Sequence, residues 1–167
     1  VGGTLSTPVD NWLTLQNGTF KFMKAVTLPV TTTSTFTIPS TACLHVEDPS
    51  AIVNIAYTNV DNNDLFLNGK LKLVSGIVNV GNSANNNNND IEYSTGGSSA
   101  IEVSGGSLNV NGQIRRSSGN ITGVLKYTQT GGSVLINGRN RLTTRGNLEV
   151  ANPGSIFDMS GSSSLTI

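Results

Sequence analysis

The chain has 167 residues, enough for one domain with its own core, and its 10 basic side chains cancel its 10 acidic ones, so no global field draws it to nucleic acid or a membrane. Only 12% of residues are charged, which leaves solubility to Asn, Ser, Thr and Gly, all poor helix formers. No helical periodicity runs for a dozen residues, no apolar run approaches a membrane span, and the lone Cys43 rules out a disulfide framework or a Cys-based metal site.

The chain opens without an initiating Met or a charged-then-apolar leader, which marks a mature protein or a piece cut from a longer one. Its beginning is rich in aromatics (Trp12, Phe20, Phe22, Phe36), and residues 1–12 read as a cap or linker. A repeat follows. From Leu13, apolar or glycine residues fall at Leu15, Gly18, Phe20 and Phe22. The same offsets recur from Leu71 (Leu73, Gly76, Val78, Val80) and from Ile101 (Val103, Gly106, Leu108, Val110). Units from Leu44, Leu125 and Leu148 fit with a turn two residues longer. Six units therefore start at 13, 44, 71, 101, 125 and 148.

Each unit holds two alternating strands joined by a turn, and then a third strand after a glycine. The third strands are "FTIP" (36–39), "IEYS" (91–94), "QIRR" (113–116), "NRLTT" (140–144) and "SLTI" (164–167). Three short strands per repeat predict an all-β fold: a right-handed single-stranded parallel β-helix of about six coils, one domain over 1–167. Side chains alternate in and out, so stacking puts outward residues in columns. The first-strand column reads Thr14, His45, Lys72, Glu102, Lys126, Glu149, and its last four alternate in sign, as neighbours one strand spacing apart should. The second reads Lys21, Asn54, Asn79, Asn109, Leu135, Asp158, and its three Asn suit an amide ladder. His45 reads as a surface histidine and Cys43 as a small buried hydrophobe.

Catalytic chemistry on a β-helix needs converging carboxylates, or a carboxylate cluster holding Ca²⁺ beside a base. The carboxylates here are scattered along the chain, and "DNND" (61–64) lacks the spacing of an EF-hand loop and reads as a solvated turn. The expectation is no catalytic residue, no metal and no cofactor. The binding candidates are basic. Arg115 and Arg116 lie on one third strand, with Arg139, Arg141 and Arg145 around the next, where stacked guanidinium groups would hold sulfated or carboxylated glycan or lipopolysaccharide phosphate. The competing expectation is a solvated face with each Arg offset by a carboxylate. "NSANNNNND" (82–90) reads as a protruding spacer loop, and the Thr run at 31–37 does not recur as an ice-binding array would. Asn17-Gly18-Thr19 and Asn120-Ile121-Thr122 are N-glycan acceptor triplets.

Over residues 111–161, "GQIRR", "LKYTQTGGSV" and "NPGSIFDMSG" resemble repeats in very large surface proteins exported by the type IX system of gliding outer-membrane bacteria. The resemblance covers the last third of the chain strongly and the rest loosely. It implies an extracellular or cell-surface, β-helical, adhesin-like segment; the C-terminal sorting domain of that family is absent from this sequence. The functional expectation is thus a non-catalytic structural or adhesive segment that contacts glycan or another cell-surface polymer and continues into further coils of a parent chain. The alternatives are a carbohydrate-active β-helix of lyase or hydrolase type and a phage-fibre-like trimeric stalk, for which Leu135 is the one hint of an exposed seam.

Overall fold

The computed structural model describes residues 13–28, 35–57, 60–94, 99–117 and 122–167, and every regular element among them is a β-strand. The first coil comprises β1 (Gly18–Phe22), β2 (Val26–Thr27) and β3 (Thr35–Ile38), and the second β4 (Ala42–Val46), β5 (Ile52–Ile55) and β6 (Asp64–Leu67). The third comprises β7 (Lys70–Leu73), β8 (Ile77–Val80) and β9 (Ile91–Tyr93), and the fourth β10 (Ala100–Val103), β11 (Ser107–Val110) and β12 (Ile114–Arg116). A fifth turn has β13 (Lys126–Gln129) and β14 (Ser133–Ile136), and closes through a parallel bridge between Ile114 and Leu148. Strands β15 (Ile156–Met159) and β16 (Ser164–Thr166) begin a sixth. First, second and third strands of successive coils pair in parallel, giving two six-stranded sheets and one four-stranded sheet. The chain is therefore a β-solenoid of about five turns, against the six coils expected from the repeat.

Alternation builds the core. Leu71, Leu73, Val78, Val80, Ile91 and Tyr93 of the third coil are all fully buried, and neighbouring coils supply Leu44, Leu67, Ile101 and Val110 above and below. Nonpolar area removed from water on this scale is the main stabilising term. The two fully buried tyrosine hydroxyls are satisfied: Tyr93 donates to the Glu149 carbonyl at 2.7 Å, and Tyr127 to Gln129 Oε1 at 2.7 Å. Tyr127 also stacks on Phe157, with ring centroids 5.2 Å apart.

The glycine expected between first and second strands sits there because the corner is left-handed. Gly106 has φ +73°, and a Cβ on it would lie 2.4 Å from the Gly76 carbonyl oxygen one coil away. That oxygen accepts the Ser107 backbone N–H at 2.9 Å, so the tight approach is itself an inter-coil hydrogen bond.

Register confirms the middle of the expected columns and corrects both ends. His45 pairs with Lys72, and Lys72 with Glu102. Glu102, however, faces Thr128, and Lys126 faces Ala100, a slip of two residues. The next strand in that sheet is β15, whose Asp158 faces Thr128, while Glu149 lies on the third side of the coil beside Arg116. At the other end Lys21 faces His45, so the first column reads Lys21, His45, Lys72, Glu102, Thr128, Asp158. Glu102 takes its ion pair from Lys70 at 2.6 Å, diagonally. Residues 140–144 form no strand, Ser164–Thr166 belongs to the second sheet, and β6, which starts inside "DNND", takes a third-strand place where a turn was expected.

The second-sheet column runs Thr27, Asn54, Asn79, Asn109, Leu135, Thr166. Its amide ladder is present: Asn109 donates to Asn79 Oδ1 at 2.9 Å, Asn79 to Asn54 Oδ1 at 2.8 Å, and Asn54 to Thr27 Oγ1 at 3.4 Å. Residues 137–147 follow the fourth coil as far as Arg139, whose N–H donates to the Asn111 carbonyl at 3.0 Å, and then run back along the stack. Leu142 N–H donates to Gln113 of the fourth coil at 3.0 Å, Arg139 to Asn86 of the third at 3.3 Å, and Asn140 to Asp61 of the second at 3.3 Å. The 1–12 stretch, Thr31–Ser34 of the Thr run, and Asn120-Ile121 of the second glycan triplet lie outside the described residues.

Candidate functional site

Ionisable side chains converge at the corner where each coil passes from its second strand to its third. Asp64, Asp90 and Gln113 each precede the first inward residue of a third strand: Leu65, Ile91 and Ile114. A chain turning here leaves a backbone N–H to be paired, and burying it unpaired would cost free energy. The side chain of the previous coil supplies the acceptor. Asp90 N–H donates to Asp64 Oδ1 at 2.7 Å, Gln113 N–H to Asp90 Oδ1 at 2.5 Å, and Leu142 N–H to Gln113 Oε1. Asn88 N–H donates to Asp61 Oδ1 at 2.7 Å in the same manner. The run at 82–90, expected to protrude whole, is therefore divided. Its tip at 83–84 is exposed, whereas Asn88, Asn89 and Asp90 are buried, and Asn89 donates to the Asn63 carbonyl at 2.9 Å.

Arg115 completes this corner. It is 4% exposed, and its Nε donates to Asp90 Oδ2 at 2.5 Å while Nη2 meets Glu92 Oε1. Burial pushes the Asp64 carboxyl up to about 7, with the Asp90 and Glu92 charges adding to it and the hydrogen bond from the Asp90 N–H opposing. Burial also raises Glu92, against the pull of Arg115. For Arg115 burial acts against the charge, but Asp90 and Glu92 outweigh it and raise its pKa further.

Arg116 turns the other way. Its backbone N–H donates to Glu149 Oε2 at 2.9 Å and its Nη2 lies 3.1 Å from Oε1. Arg145 shares that carboxylate at 3.3 Å and donates to the Arg116 carbonyl at 2.7 Å. Burial works against the Glu149 charge, yet these Arg116 and Arg145 contacts prevail and hold its carboxyl below the usual range. Arg139 is half-buried on Asn86, and Arg141 is exposed. Of the five expected binding residues, then, Arg116 and Arg145 come together around one carboxylate, Arg115 is sealed between two others, and Arg139 and Arg141 lie on the 137–147 excursion.

Asp64, Asp90 and Glu92, the carboxylates that gather at this corner, are only 5%, 0% and 6% exposed. Their oxygens serve as inter-coil acceptors. Among the described residues no group of three His, Cys, Asp or Glu side chains is arranged to hold a metal ion. His45 faces outward but is only 7% exposed; its Nε2 lies 3.3 Å from Glu47, and burial lowers its pKa despite that carboxylate. Cys43, expected to be buried, is half-exposed and faces outward between Thr19 and Lys70.

The acidic corner was missed from sequence although a trace of it is visible there. "NNDL" (62–65) and "NNDI" (88–91) share "NND" before an aliphatic residue, one coil apart. No family model matches the chain, and neither a curated protein nor a solved structure matches it.

Proposed function

We propose that this chain is a non-catalytic structural and adhesive β-solenoid segment of a secreted or cell-surface protein, joined to further coils of a parent chain. The observation that supports it most is how the reactive side chains are spent. Asp64, Asp90, Gln113, Arg115 and Glu149 each bind a neighbouring coil's backbone or counter-charge, which is the work of a scaffold. Adhesion to anionic glycan falls to Arg139 and Arg141, because Arg115, Arg116 and Arg145 already hold carboxylates. Affinity electrophoresis in gels containing sulfated or uronate polysaccharide tests this: retardation is expected to fall with added salt and to be lost in Arg139→Ala/Arg141→Ala. Release of unsaturated or reducing sugars from the same polymers would replace this reading with a carbohydrate-active β-helix, and a trimer in light scattering would replace it with a fibre stalk.

A further inference from the structure

Charge is divided unevenly among the three outer faces of the coil. First-sheet strands carry Lys21, Lys70, Lys72, Lys126, Glu102 and Asp158, and third-sheet strands carry Asp64, Glu92, Arg115 and Arg116. The six strands of the second sheet carry no charged residue at all. Their outward positions form two columns side by side, one from Thr27 to Thr166 and one from Ile52 to Ser164. The columns mix hydroxyls, the three ladder amides and exposed aliphatic side chains, with Ile52 39% and Leu135 37% exposed. Tyr57, 41% exposed, stands at the rim of a small depression that Asn79 and Asn109 also line.

A primary amide has two N–H donors and an oxygen with two acceptor positions. Each ladder contact uses one donor of one Asn and one acceptor position of the next, so every amide keeps hydrogen-bonding capacity beyond the ladder. These amides repeat at the strand spacing of ~4.8 Å along the axis of the stack, and the parallel ladder fixes their orientation. Six strands about 24 Å across, the four central ones about 13 Å long and the two outer ones shorter, give a strip of roughly 300 Å². Over these six strands the strip falls short of the roughly 800 Å² that each partner gives to a stable protein interface. Its shape is that of a track for one extended polymer, and without cations it offers an anionic one nothing.

We propose that the outer face of the second sheet binds an uncharged, hydroxyl-rich linear polymer, a neutral polysaccharide laid along the axis of the stack. Sugar hydroxyls pair with the Asn54, Asn79 and Asn109 amides, and the apolar faces of the rings lie on Ile52, Leu135 and Tyr57. This rests on the adhesive reading above but assigns it a second ligand class and a different face from Arg139 and Arg141.

The test is affinity electrophoresis in parallel gels containing a soluble linear neutral β-glucan or polygalacturonate. The neutral glucan is expected to retard the wild-type chain to an extent that added salt leaves unchanged, and Leu135→Glu, an exposed position that leaves the ladder intact, is expected to weaken this about tenfold. Asn79→Ala, checked for folding by circular dichroism, should weaken it as well, and Arg139→Ala/Arg141→Ala should not. Retardation by polygalacturonate alone overturns the neutral-polymer site and leaves the adhesive reading standing; retardation in neither gel overturns both. Neutral retardation that survives both face variants, or a concentration-dependent dimer abolished by Leu135→Glu in sedimentation velocity, also overturns it, the latter by making the face a contact between copies.

Discussion

Glu92 and Arg115 are opposed partners in adjacent third-sheet strands, and their carboxylate and guanidinium meet with both side chains buried. The pair is isolated from water on a small solenoid, with Asp90 on the other edge of the same guanidinium. Removing the cation leaves two buried carboxylates to find other partners. Arg115→Met is therefore expected to destabilise the fold by about 3 to 5 kcal/mol, measured as a lower midpoint in urea denaturation. A change below 1 kcal/mol, by the same order-of-magnitude scale, would mean that the guanidinium is dispensable to the corner.

Asp64 sets the pH response of that corner. Its carboxyl rises from the ordinary value near 3.8 to about 7 in the fold, because burial disfavours its charge beside Asp90 and Glu92, with Arg115 compensating only in part. The folded chain thus holds a proton that the unfolded chain releases between these values. Stability from this group is complete below pH 3.8 and is lost as pH rises through 7. Asp64→Asn keeps the oxygen that accepts the Asp90 N–H and deletes the charge. It should gain a few kcal/mol over the wild type at pH 8 and almost nothing at pH 4. Parallel urea titrations at the two pH values would reveal a pH-independent difference if the assignment is wrong.

Some of this architecture could be read from residues alone. The alternation in "LKL" and "IEV", with opposite charges at Lys72 and Glu102, located two neighbouring strands in correct register. The same alternation hid the slip at the next coil. Leu125 and Tyr127 both follow the inward period, so a shift of two residues leaves every side chain on its proper face, and only the length of the preceding turn decides between them. "NLEV" has the rhythm of a first strand, yet Leu148 bridges to Ile114 on the third side. The sequence places Asp64 in a solvated turn and Asp90 at the end of a protruding loop, because lone carboxylates usually face water, and their burial depends on a backbone N–H one coil away that no local pattern displays.

The amide ladder offers a measurement of stacking itself. Asn79 sits between Asn54 and Asn109 and takes part in both links. Asn79→Ala should cost about 1 to 2 kcal/mol, the worth of two partly exposed hydrogen bonds, while Asn109→Ala, which removes the single link to Asn79, should cost about half as much. Both variants remove the Asn109–Asn79 link, so their double-mutant cycle should be sub-additive, and strict additivity would mean that this link contributes nothing.

Gly106 tests the corner. Its φ of +73° and the approach of the Gly76 oxygen leave no room for a methyl group. Gly106→Ala is expected to lower stability by at least ~2 kcal/mol, from left-handed backbone strain together with displacement of the neighbouring coil. Thermal unfolding followed by far-ultraviolet circular dichroism would register it, and an unchanged midpoint would contradict the close packing of successive corners.

In a linear stack each layer holds only the layers beside it, so unravelling proceeds from an end one layer at a time. The contact of Asn140 with Asp61, 79 residues apart in sequence, and that of Arg139 with Asn86 breach this rule by lashing the fifth layer to the third and the second. Peeling the far end under load must release that clasp before the fourth layer can come away. The middle of the stack therefore comes apart as a block rather than one layer at a time.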